Sequence, residues 1–294
     1  MAHSSYMAAS LFDVKDVVAV ITGGGSGLGA VAAHALVANG AKAVYILGRR
    51  KEALISTQEK SSNPHVVHPI VCDVTSKDDL AAAAERVRSE IGYINVLFAN
   101  SGVKGAAPAA IESNDDVKTV QSKLWKPEMD VFTRDMHVNV SGAYYTAVAF
   151  LDLLDQGNQR AVGPSKSQIV LTSSGASFSR LAFSGCAYGA SKAAVTHMTK
   201  QLATTLAPYK IRVNAIAPGF FPSEMTENLP FMKADRNPRE EGAVESKLVP
   251  LQRVGTEEDF AGIVLFLSSK AGGFLDGTIL LADGGSISTI PSTY

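Results

Sequence analysis

Seven short apolar runs recur along the chain and constrain its fold more than any other feature. They are Val17–Ile21, Val44–Leu47, Val66–Val71, Val96–Ala99, Ile169–Leu171, Arg212–Ile216 and Thr278–Leu281. Most are rich in Val, Ile and Leu and do not alternate with polar residues. A strand covered on both faces reads this way, whereas a strand with one wet face alternates. Helix-like stretches separate them at Ala30–Asn39, Lys77–Ile91, Met129–Asp155, Tyr188–Ala207 and Glu257–Ser269. Strand–helix alternation predicts a parallel sheet of about seven strands with helices on both faces, a doubly wound α/β fold. The punctuation agrees. Asn39-Gly40 and Ile91-Gly92 stand where helix C-caps belong, and Thr256-Glu257-Glu258-Asp259 places acids in a first turn.

No linker, repeat or low-complexity tract divides the 294 residues, so one domain over residues 1–294 is expected, with residues 1–10 flexible. The chain is 46% hydrophobic and 19% charged, which excludes a disordered chain. A net charge of −1 leaves no electrostatic footprint for nucleic acid. There is no apolar run long enough to span a membrane and no secretory leader. Cys72 and Cys186 cannot make a disulfide framework and are read as reduced thiols. A soluble cytoplasmic protein is the expectation. Two stretches exceed a minimal count of strands and helices. Val103–Lys126 is long and polar and carries Trp125. Phe220–Leu251 mixes aromatics, methionines and prolines with a charged patch, Lys233–Glu241. Long loops in compact domains usually serve function, and residues 220–251 are read as a substrate lid.

Thr22-Gly23-Gly24-Gly25-Ser26-Gly27-Leu28-Gly29 follows the first buried run and opens a helix. Glycines allow a tight turn and close approach of a pyrophosphate, and the helix N-terminus supplies N–H groups and positive potential. In this strand–loop–helix setting Gly23, Gly25, Ser26, Gly27, Leu28 and Gly29 are read as cofactor-binding, against the bland alternative of a glycine turn. The second run ends in Gly48-Arg49-Arg50-Lys51, with no acid to hold a ribose hydroxyl. Arg49 and Arg50 suit a 2′-phosphate, so NADP(H) is the expected cofactor.

Tyr188-Gly189-Ala190-Ser191-Lys192 opens a long helix, where positions i and i+4 share a face. A cation beside a phenol favours the phenolate and is expected to lower its pKa. Ile169–Leu171 runs into Thr172-Ser173-Ser174, a strand ending in hydroxyls. Alone, each piece is ordinary packing or an ordinary turn. Together, and in order with Cys72-Asp73-Val74, Asn100-Ser101-Gly102, Val138-Asn139-Val140, Asn214–Gly219 and Asp283-Gly284-Gly285, they resemble the short-chain dehydrogenase/reductase family from about Leu11 to Gly285.

The resemblance implies a Rossmann-type domain and hydride transfer between a nicotinamide and a carbonyl or alcohol. It implies that Tyr188 is the general acid/base, that Lys192 lowers its pKa and binds the nicotinamide ribose, that Ser174 orients the carbonyl, and that Asn139 holds a relay water. It makes Asp73 and Val74 adenine contacts. Asn100, Ser101 and Gly102 become cofactor-side positions, and Pro218, Gly219, Phe221 and Ser223 the segment beside the nicotinamide. It also implies a homodimer or homotetramer. An imine or enone reductase on the same scaffold, and a cofactor-binding protein with a non-redox or vestigial role, are the rival readings. The apolar residues Phe220, Phe221, Met225, Leu229, Phe231 and Met232, with Phe178, Leu181 and Phe183, suggest a bulky, apolar small-molecule carbonyl. No arginine is evident for clamping a carboxylate. His65-x-x-His68 lacks two further ligands and is not read as a metal site. Cys186 is expected to be a small buried thiol. The pairs Asp115-Asp116 and Glu240-Glu241 are read as solvated charge.

Overall fold

The computed structural model describes residues 6–105, 110–161, 163–182 and 184–294. Seven strands form one sheet: β1 (Val18–Thr22), β2 (Ala43–Gly48), β3 (Val67–Val71), β4 (Val96–Ala99), β5 (Gln168–Thr172), β6 (Arg212–Pro218) and β7 (Ile279–Ala282). Their order is β3-β2-β1-β4-β5-β6-β7, and every pairing is parallel. All seven expected runs are strands, displaced by no more than a residue or two.

Each strand divides its side chains between two cores. Val18, Val20, Tyr45 and Leu47 face α4 (Lys77–Glu90), α7 (Ala143–Ala149), α8 (Leu151–Arg160) and α9 (Cys186–Leu206). Ala19, Ile21, Val44 and Ile46 face α2 (Gly27–Ala38), α3 (Lys51–Glu59) and α10 (Glu257–Ser268). Ahead of β1, Ala8–Leu11 forms a single helical turn, α1. The expected caps are present. Gly40 and Gly92 take φ of 88° and 77° just past α2 and α4, and Thr256 and Asp259 form a reciprocal capping box at α10.

Three stretches differ from the sequence reading. The basic run after β2 continues into α3, whose buried side chains are Leu54 and Thr57, too few to make a periodic apolar stripe. The polar Val103–Lys126 segment contains α5 (Val117–Trp125), capped by Asp116, and Asp115 pairs with Lys123 at 2.6 Å. The helix expected over Met129–Asp155 is interrupted. It comprises α6 (Met129–Met136), a widened π-turn over His137–Gly142, α7 and α8, with Phe150 leaving helical geometry at ψ 6°. Side-chain bonding by Asn139, described below, coincides with the π-turn. Such turns mark functional positions more often than chance.

At the end of the sheet opposite the strand C-termini, buried Arg212 ties two segments to the start of β6. Its guanidinium donates to the Lys166, Gly272 and Leu275 carbonyls and to Ser165 Oγ, at 3.1–3.2 Å. Replacing it with methionine leaves those buried acceptors unpaired. Arg212→Met should lower unfolding stability by about 2–4 kcal/mol in urea titration; a loss below about 1 kcal/mol would show that the carbonyls find water instead.

Candidate active site

Because all strands run one way, every strand C-terminus opens onto the same edge of the sheet. The order reverses between β1 and β4, and at such a switch point the flanking loops diverge and leave a crevice. A cavity of about 950 Å³ lies there, walled by the loops after all seven strands. Of the residues singled out in the sequence, Gly23, Gly25, Ser26, Gly27, Leu28, Arg49, Arg50, Asp73, Val74, Asn100, Ser101, Gly102, Ser174, Tyr188, Lys192, Pro218, Gly219, Phe221 and Ser223 line it. Gly29 and Asn139 stand behind the wall.

The glycine loop is shaped by close approach. A Cβ on Gly29 would lie 2.3 Å from the Gly23 carbonyl oxygen, so this glycine lets α2 start against the loop and does not touch the cavity. Gly23 and Gly27 adopt φ of 67° and 52°, which other residues rarely do. The N-terminus of α2 meets the cavity at Gly27 and Leu28. The loop is fastened from beneath by Thr22, whose buried Oγ1 accepts the N–H groups of both Asn100 and Ser101 at 3.0 Å. Asn100 donates to the Thr22 carbonyl at 3.1 Å and accepts from Thr172, joining β1, β4 and β5.

At the β2–β3 end, the Arg49 and Arg50 side chains are 63% and 60% exposed. Arg50 reaches Ser26 Oγ at 3.1 Å and Glu224 at 2.9 Å, across the mouth of the cavity. Arg49 stands 3.9 Å from Asp73. Burial resists ionisation of Asp73, but the Thr75 N–H and hydroxyl, with Arg49, hold its carboxyl below the usual range.

Tyr188 and Lys192 share one face of α9 and are both buried. Lys192 Nζ donates to the Thr172 carbonyl at 2.7 Å and lies 5.8 Å from the Tyr188 ring centre. Burial pushes the ammonium down to about 8. Burial also raises the phenol of Tyr188, while its hydrogen bond with Ser174 acts the other way. The expected lowering of the phenol by its neighbouring cation is therefore not found: burial is the largest effect on it, and the charge that acts on it is that of Asp135. Of the two adjacent serines, Ser174 faces Tyr188. Ser173 is buried against α9, bonded to Thr196 and the Lys192 carbonyl.

Asn139 is spent on structure. Its Oδ1 accepts the Val103 N–H at 2.8 Å, and its Nδ2 donates to the Val103 carbonyl and to Ser191 Oγ, each at 2.9 Å. It thereby fixes the loop after β4 to α9.

The opposite end of the cavity is mostly apolar. Leu181, Phe220, Met225 and Leu229 reach it as expected. Phe231 and Met232 do not. They join Phe220 around Val244, Val249 and Val254 in a small satellite core. The ring of Phe221 packs on Phe260 at 5.8 Å. Phe178 meets Tyr294 edge-on, with ring centres 4.9 Å apart, and Phe183 lies outside the described residues. Leu248, within the expected lid, completes the wall with Ile287 and Ile290, which had no sequence signal. The chain near Pro291 pairs with the loop before Tyr188: Arg180 N–H donates to Pro291 at 2.9 Å and Thr293 N–H to Phe178 at 2.8 Å. Two expectations fail. Cys186 is exposed, since it is the first residue of α9 and points outward. Lys104 and Arg134 reach the cavity wall, so cations are present where none had been evident. Among the described residues no group of three His, Cys, Asp or Glu could hold a metal, and His68 stacks on Tyr45 at 4.7 Å.

A family model described as short chain dehydrogenase matches residues 17–233. The chain belongs to the short-chain dehydrogenase family. It is 43% identical over 290 residues to the short-chain dehydrogenase/reductase PhomF of Diaporthe leptostromiformis, covering 99% of this chain and 98% of that one. Among solved structures, the RhlG/NADP active-site complex of Pseudomonas aeruginosa aligns with a TM-score of 0.77 at 28% identity, over 94% of this dehydrogenase and 98% of that chain. A 3-ketoacyl-(acyl-carrier-protein) reductase from Brucella melitensis, complexed with NADH, aligns with a TM-score of 0.75 at 25% identity, over 93% and 99%. The family uses NAD(P)(H), and the cavity of this dehydrogenase suits it. Bare glycine backbone and a helix N-terminus stand at its centre, and the space continues without a break from Arg49 to Tyr188.

Thr22 provides a clean test of the fastening beneath that cavity. Thr22→Val keeps the shape but leaves the Asn100 and Ser101 N–H groups without their acceptor. Stability should fall by about 1–3 kcal/mol in chemical denaturation, and NAD(P)H should bind more weakly in a fluorescence titration. Unchanged affinity would mean that the loop after β4 holds its position unaided.

Proposed function

We propose that this dehydrogenase is an NADP(H)-dependent carbonyl reductase/alcohol dehydrogenase that acts on bulky, largely apolar small molecules. The observation that carries the reading is a single cavity with a Ser174–Tyr188–Lys192 cluster at its centre, two arginines at one end and an apolar wall at the other. When bound, the nicotinamide would supply or accept the hydride. Ser174, already bonded to Tyr188, would share its hydroxyl with the substrate oxygen and fix the carbonyl beside the phenol. Tyr188 donates its proton to that oxygen in reduction and takes it back in oxidation. A phenol held protonated by burial carries the proton that reduction consumes. Lys192, anchored on the Thr172 carbonyl, places a cation next to the phenolate that forms. The hydroxyls of a bound ribose would meet the same ammonium.

Arg49 and Arg50 support NADP(H) over NAD(H), since a guanidinium pairs with a phosphate better than with a bare ribose. The exposed apolar side chains Trp125 and Met129, at 84% and 83%, support a homo-oligomer. The near-neutral charge and two unpaired cysteines support a cytoplasmic setting.

A rate screen of NADPH oxidation over cyclic ketones, sugars, keto acids, imines and enones tests the reading. Apolar cyclic ketones should give the highest kcat/KM. Preference for keto acids would assign substrate recognition to Lys104 and Arg134, and preference for imines or enones would change the reaction. Tyr188→Phe keeps the ring and removes the proton, so kcat should fall by about 10²–10⁴ while NADPH still binds. Near-normal turnover would instead favour a non-redox role. Wild-type KM for NADPH should be at least about tenfold below that for NADH, one charge-assisted contact being worth that much or more, and Arg49→Asp should narrow the gap. Equal use of both cofactors would remove the arginines from cofactor selection.

A further inference from the structure

One buried acid has no part in the chemistry just described. Asp135 lies on α6, one helical turn before Asn139, and is only 2% exposed. Both of its carboxylate oxygens accept the Gly105 N–H, at 2.9 and 3.1 Å. Asn139 grips Val103, two residues earlier in the same extended segment. Side chains four apart on a helix stand one above the other and can match the two-residue repeat of an extended chain. The segment so held, Gly102–Lys104, is part of the cavity wall. Close packing accounts for Gly105, since a Cβ there would lie 2.8 Å from Val131 Cγ1.

A clamp of this kind needs a hydrogen-bond acceptor but not a charge. Asparagine or serine would accept the same N–H without the cost of burying an anion. Burial raises the carboxyl of Asp135, opposed by the Gly105 N–H and by the charges of Arg134 and Lys192. An acid raised in the fold loses stability as pH climbs from its ordinary range through its folded value. The carboxylate at neutral pH is therefore kept at some cost. What it faces explains the choice. On its own helix the charged group is Arg134; from α9 the groups are Lys192 and Tyr188; the loop after β4 contributes the Gly105 N–H. Its negative charge favours the protonated form of both α9 residues.

We propose that Asp135 is a positioning residue: from behind the cavity its carboxylate holds the loop after β4 and sets a negative charge behind the Tyr188–Lys192 pair. The proposal rests on the reductase reading for its chemistry. A neighbouring charge in a partly desolvated site shifts a titration by about one pH unit.

The test is the pH profile of kcat/KM for NADPH-dependent reduction of α-tetralone and for oxidation of α-tetralol. Asp135→Asn keeps an acceptor and removes the charge. Both the alkaline fall in reduction and the alkaline rise in oxidation should move to lower pH by about one unit. Asp135→Glu restores the charge and should return the profile toward that of the wild type. An Asp135→Asn protein that melts cooperatively and keeps the wild-type profile would overturn the proposal and leave Asp135 a loop clamp. Should neither variant fold, carbon-13 NMR of aspartate-labelled wild type decides. One carboxyl should titrate above the ordinary range and sense a second proton loss near pH 8, that of Lys192; no such carboxyl would overturn it. Failure of the wild type to reduce any ketone would count against the reductase reading, and the NMR measurement would then judge Asp135 by itself.

Discussion

Uniform strand direction is the constraint on which the rest of the molecule depends. Parallel strands need crossovers, and the crossover helices cover both faces of the sheet. Seven strands pointing the same way deliver seven loops to one edge, where residues distant in sequence meet without disturbing the core. Thr22, Arg49, Asp73, Asn100, Ser174, Gly219 and Ile287 come together because each follows or ends a strand. Arg212 lies at the other end of the sheet and serves a structural purpose only, bonding carbonyls.

Within the site, desolvation is the dominant electrostatic effect. It raises the phenol and lowers the ammonium, so it opposes charge on both partners. A site left to desolvation alone would drift toward neutral lysine. The carboxylate of Asp135 counters that for Lys192 and adds to it for Tyr188, which favours the proton on both. The hydrogen bond that the phenol oxygen accepts from Ser174 acts in the opposite sense. The proton affinity of the cluster is thus a balance among burial, one hydroxyl and one distant charge. None of these is the i,i+4 cation that the sequence spacing brings to mind.

The strands were legible because double-sided burial leaves unbroken apolar runs, and the glycine loop because its conformations demand glycine. Nearly every proposed cavity residue reaches the cavity for the same reason: short motifs at strand ends carry their own placement. Other features carried no such pattern. α3 buries too little to show a stripe, and the interruption of the long helix after Met129 coincides with Asn139 bonding Val103, 36 residues away. Ile287 and Ile290 reach the cavity only because the chain after β7 returns to the loop before Tyr188. Asp135 carried no signal in the sequence, and its burial comes from the fold alone. Local pattern reports periodicity and turn chemistry, while contacts made across the chain leave no trace in it.

The bonds from Asn100 and Ser101 to Thr22 span 78 and 79 residues. Closing so long a loop costs chain entropy before any contact offsets it. The cofactor cradle is therefore not a local motif that forms early and waits for the sheet. Its floor is absent until β4 has been threaded beside β1, late in assembly by the standard of neighbouring strands. A ligand that recognises the finished floor binds only the native chain, and by mass action adds its binding free energy to the stability of the whole sheet. Supply of nicotinamide nucleotide would then govern how long this dehydrogenase persists in a cell as well as how fast it turns over.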